Sequence, residues 1–101
     1  MKTYSKPQAK IAVLRAARKR IANDLNSMVC LALHEACDSN ARLSSLATKE
    51  LLTYVQNAIS PHTTLGSWQR ANAVKAQGLR DLKKDRLAWI DWMIDCIEDL
   101  Q

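Results

Sequence analysis

The stretch Leu79-Arg80-Asp81-Leu82-Lys83-Lys84-Asp85-Arg86-Leu87-Ala88-Trp89-Ile90-Asp91-Trp92-Met93-Ile94-Asp95-Cys96-Ile97-Glu98 decides the fold of this chain. At about 100° per residue, Asp91, Asp95, Glu98 and Asp99 share one narrow arc. The opposite wide arc carries Trp89, Ile90, Trp92, Met93, Ile94, Ile97 and Leu100. This is the pattern of an amphipathic helix from about Leu79 to Glu98, whose apolar face needs other elements to cover it.

The residues before it supply more helices and no convincing strand alternation. Ser5-Lys6-Pro7-Gln8 reads as a helix start, with Ser5 as cap and proline tolerated in the first turn. Ile11, Leu14, Ala17 and Ile21 follow at helical spacing. Asn23-Asp24-Leu25-Asn26-Ser27 concentrates turn residues, so a second helix is expected to start at an Asn26 or Ser27 cap and run through Cys37. One continuous helix from 7 to 37 is the alternative. Asp38-Ser39-Asn40 reads as a loop. Ser44 or Ser45 should cap a third helix carrying Leu52, Val55 and Ile59, stopped at Ser60-Pro61. Thr63 or Thr64 should cap a short fourth helix with Leu65 and Trp68, and Gly78 marks a boundary.

The fold expected is therefore all-α, a compact single-domain bundle of four or five helices over residues 1–101, with a flexible N-terminus at 1–5. Its core should hold Ile11, Leu14, Ile21, Val29, Leu33, Leu52, Val55, Trp68, Trp89, Ile90, Met93 and Ile97.

Composition agrees. The chain has 101 residues, 48% apolar and 25% charged, which is ordinary for one globular domain and excludes a disordered chain. With only two glycines and two prolines, a β-sandwich or a phosphate-cradling loop is not expected. The longest apolar run, Met28 to Leu33, has six residues, too few to cross a membrane. No apolar stretch near Met1 precedes a small-residue cleavage site, so no secretory leader is expected. Three cysteines, an odd number, fit a reducing compartment.

Charge is unevenly placed. Residues 1–23 hold seven basic side chains and no acidic one, whereas residues 91–101 hold four acidic and no basic one, within a net charge of +5. Basic residues toward the start of the last helix and acids toward its end both oppose the helix dipole. The acidic stripe either pairs with the basic first helix, or is solvated, or docks onto a basic partner. Asp91, Asp95 and Glu98, with an exposed edge of Trp92, form one candidate partner-binding surface; Arg15 and Lys19, which face together on the first helix, form the other.

Other chemistries have weaker signals. Nucleic-acid binding needs a continuous basic face, but Lys6 and Lys10 lie on other sides of the helix from Arg15 and Lys19. Cys30, His34 and Cys37 share an arc but lie mid-helix, unlike the cysteine pairs on tight turns that bind zinc. Cys30 and His34 could touch as a nucleophile pair, yet nothing supplies an orienting third group. No Walker loop, dinucleotide fingerprint or nucleophile elbow is present. No enzyme activity, metal or cofactor is expected.

Four fragments, taken in order, add a direction: Met1-Lys2-Thr3-Tyr4-Ser5 leading a basic alanine-rich helix, Val29-Cys30-Leu31-Ala32-Leu33, Thr64-Leu65-Gly66-Ser67-Trp68, and Arg86-Leu87-Ala88-Trp89-Ile90-Asp91-Trp92-Met93-Ile94. Their order resembles small accessory proteins of tailed bacteriophages and prophages. The resemblance implies a product acting in the host bacterial cytoplasm. There it would bind a host or phage protein and inhibit or modulate it, host defence components being among such targets. A small basic nucleic-acid-binding regulator is the alternative. The resemblance transfers no catalytic residue, and partner identity and oligomeric state stay open.

Overall fold

The last helix of the computed structural model, α5 (Leu79–Asp99), lies along a basic first helix, α1 (Lys6–Asn23). Between them in sequence come α2 (Val29–Ser44), α3 (Thr48–Ile59) with a 3₁₀ turn at Ser60–His62, and the short α4 (Leu65–Ala71). The structure describes residues 6–24, 26–44, 46–74 and 79–99, and among them it contains five α-helices and no strand. The expected cap at Ser5, the flexible segment 1–5, the alternative cap at Ser45 and the boundary at Gly78 lie outside the described residues.

Helix α1 packs mainly on α2 and α5, while α3 rests on α2 and α4 on α5. Its central position explains its composition. Ala9, Val13, Leu14, Ala17 and Ile21 are all fully buried, and alanines on α1 meet Ala32 and Ala36 of α2 in the same core. Small side chains at a contact let two helices approach closely. From α5 the core takes Ile90, Met93 and Ile97, together with Trp89 and Ile94. Ten of the twelve expected core residues are buried; Leu52 and Trp68 are half-buried against the core, and Leu51 takes the fully buried place on α3.

The break between the first two helices is real, so α1 and α2 are not one rod. The Asn26 backbone N–H donates to Asp24 Oδ1 at 2.9 Å, and the Ser27 N–H to the Asp24 carbonyl at 3.1 Å, closing a turn. The expected loop at Asp38-Ser39-Asn40 is instead helical, and α2 runs on to Ser44. Its turn-forming side chains bond back along the helix. Ser39 Oγ donates to the Ala36 carbonyl at 3.0 Å, and the buried Asn40 Nδ2 donates to the same carbonyl at 2.8 Å. Ser44 therefore ends α2 rather than capping α3, which begins after Ala47 without a side-chain cap. Thr64 does cap α4: its side chain accepts from the Ser67 N–H at 3.1 Å, and the Thr64 N–H donates back to Ser67 Oγ at 3.2 Å.

Candidate interaction surface

The acidic arc of α5 faces the basic side of α1. Arg18 Nε donates to Asp91 Oδ1 at 2.5 Å, with a second contact from Nη2 to Oδ2 at 3.4 Å. Arg15 Nη2 donates to Glu98 Oε1. Ascending numbers on α1 meet descending numbers on α5, so the two helices are antiparallel. That arrangement sets the middle of α1 alongside the acidic C-terminal end of α5, where its arginines offset the acids that oppose the α5 dipole. The hydrogen bond to Asp91, and then its charge, hold the Arg18 guanidinium further above its ordinary pKa. All four side chains remain substantially exposed, so the ladder sets the register of the pair more than it adds stability.

Trp92 and Asp95 stand beside this ladder without joining it. Trp92 is 49% exposed, unlike the buried Trp89 and the half-buried Trp68. Asp95 is exposed and makes no ion pair among the described residues. Lys19 lies apart, in a cleft between α1 and α2 that also contains Arg20, Asp24, Leu31 and Glu35. There Arg20 Nη1 donates to Glu35 Oε2 at 2.9 Å. The six candidate residues thus separate into three groups. Arg15, Asp91 and Glu98 belong to the ladder, Trp92 and Asp95 are exposed beside it on α5, and Lys19 lies in a different cleft.

The other tryptophans hold the frame of α5. Trp89 Nε1–H donates to Thr63 Oγ1 at 3.1 Å, and its ring lies 5.6 Å from that of Trp68 at a tilt of 54°. Such tilted pairs are favourable beyond their buried area.

Two further residues matter that the sequence reading passed over. Arg86 is only 1% exposed; its Nε donates to the Ala71 carbonyl at 3.2 Å and its Nη2 to the Ala73 carbonyl. Burial lowers its pKa, while the Cys30 and Asp24 charges act in the opposite direction. The guanidinium thereby ties α5 to the carbonyl end of α4. Asn72 accepts the Cys30 backbone N–H at 2.7 Å and donates through Nδ2 to the Trp68 carbonyl at 2.8 Å. It supplies from 42 residues away the cap that Asn26 or Ser27 was expected to give α2. Arg86 had a signal: it is four residues after the buried Leu82 and three before Trp89, on the apolar arc. Asn72 had none, because its partner is remote in sequence.

The cysteines are thiols, with Cys37 buried and Cys30 and Cys96 half-buried. Burial, then the charge of Asp38, pushes the Cys37 thiol up to about 11. His34 is exposed, 3.9 Å from Asp38, whereas Cys37 is buried. Among the described residues no group of three or more His, Cys, Asp or Glu side chains is placed to hold a metal, and no helix is long and apolar enough to cross a membrane. Comparison of the chain with protein-family models, curated proteins and solved structures finds no match.

Proposed function

We propose that this chain is a non-catalytic phage accessory protein that binds a host protein, such as a defence component, and inhibits or modulates it. The phage setting rests on the resemblance of the four sequence fragments alone. The docking role is supported by one observation above all: Trp92 stands half out of the surface on a helix whose other described large apolar side chains are buried or half-buried. Exposed tryptophans beside polar rims are the kind of anchor on which binding energy concentrates. The adjoining charges suit steering and register more than raw affinity.

The nucleic-acid alternative is less well supported. Arg15, Arg18 and Arg20 are each engaged by a carboxylate, and Lys10 sits 5.4 Å over the Tyr54 ring. The basic segment therefore does not offer phosphates an uninterrupted strip. Affinity capture from bacterial lysate, with the captured proteins identified by mass spectrometry, tests the proposal. A discrete host protein lost on Trp92→Ala supports it. Tight binding to DNA that collapses as salt rises would favour the alternative.

A further inference from the structure

Among the described residues, the ladder between α1 and α5 leaves one carboxylate of the acidic arc over. Asp91 and Glu98 are engaged by Arg18 and Arg15, whereas Asp95 keeps an unpaired carboxylate among the described residues. Trp92 precedes Asp95 by three residues, so indole and carboxylate are neighbours on one helical surface. Ala88, one turn before Trp92, is also exposed and is too small to cover the ring. The last turn of α5 carries no basic residue, and the carbonyl end of a helix is itself a partial negative charge. A half-exposed indole next to an unpaired carboxylate is complementary to a cation.

We infer that Trp92 and Asp95 form a recognition site for a basic side chain, arginine or lysine, presented by a partner protein. The cation stacks on the indole while it pairs with the Asp95 carboxylate. Arginine suits the site better, because its planar guanidinium both stacks on an aromatic face and presents a fork of donors to a carboxylate. The ladder contributes selectivity: with Asp91 and Glu98 already held by α1, an incoming cation finds Asp95 as its acceptor. A phosphate-rich ligand would meet that same carboxylate as a repulsion. This inference rests on the reading of α5 as a docking face and narrows it to a basic partner segment.

The test uses isotope-labelled full-length protein titrated with a tri-arginine amide peptide at low salt. Nuclear magnetic resonance follows the Trp92 indole N–H, assigned by its loss in Trp92→Leu, and the Asp95 amide. Saturable shifts concentrated on these two groups are expected, weakening as salt rises. Trp92→Leu should weaken binding about two- to five-fold, the span of one exposed cation–π contact. Asp95→Asn should weaken it also, while leaving the backbone spectrum of the free protein in place. Shifts spread evenly over the exposed Asp38, Glu50 and Asp81, or an Asp95→Asn variant that binds as well as the native chain, would overturn the inference. So would shifts of the same two groups on concentrating the protein without peptide, which would identify a second copy as the occupant. Trp92-dependent capture from lysate without a peptide site at Asp95 would remove the basic partner but leave the docking reading intact.

Discussion

Arg86 carries a charge into the interior because it has acceptors waiting there, the Ala71 and Ala73 carbonyls at the end of α4. Read by residue type it counts as one more surface cation; read by helical position it belongs to the buried arc. The period was legible and the acceptors were not, since they come from another helix. Arg86→Met keeps most of the apolar stem and discards the donors, so it should cost about 1–3 kcal/mol for each carbonyl left unsatisfied, read from urea denaturation. Cys37 illustrates the opposite kind of residue, a small apolar filler. With its thiol raised from 9.0 to about 11, it stays protonated in the fold when the unfolded thiol would ionise. Its contribution to stability is complete below pH 9.0 and is lost as pH rises toward about 11. At pH 8 a thiol reagent should label Cys30 and Cys96 first and reach Cys37 only on unfolding.

At the scale of elements, α5 was legible because one periodic stripe of large side chains over 21 residues leaves no competing reading. Replacing Ile90, which is fully buried, by alanine should cost about 2–5 kcal/mol in denaturant titration. Helix α2 was misjudged at its far end for a physical reason. Ser39 and Asn40 are turn formers when their side chains compete with the backbone for partners, but here they donate to carbonyls of the preceding turn, and Asn40 is buried where a loop would be solvated. Its near end depends on a residue of another segment. Asn72→Ala should therefore cost about 0.5–2 kcal/mol, as for loss of an N-cap. It should also speed hydrogen exchange at the Cys30 amide, forty-two residues away in sequence. Loss of a merely local contact would leave that amide unchanged.

Across the whole molecule, the sequence's charge asymmetry resolves into an antiparallel α1–α5 pair, a possibility legible in the segregation of bases and acids but not decided by it. The decisive fact is the facing of Arg15 with Glu98 and Arg18 with Asp91. Changing Asp91, Asp95 and Glu98 together to lysine places like charges across that seam. Because the groups are exposed, the fold should persist with unchanged helicity by circular dichroism and a modestly lower melting temperature. What separates a docking face from mere surface is whether something covers Trp92. A photo-crosslinking amino acid placed at Ala88, exposed one turn from Trp92, measures this most directly in bacterial cells, with the same group at the exposed Leu31 of the α1–α2 cleft as comparison. The account predicts one discrete protein adduct at position 88, absent at position 31 and lost when Trp92 is also changed to alanine. An adduct at position 31 alone, or one at position 88 that survives Trp92→Ala, would contradict it.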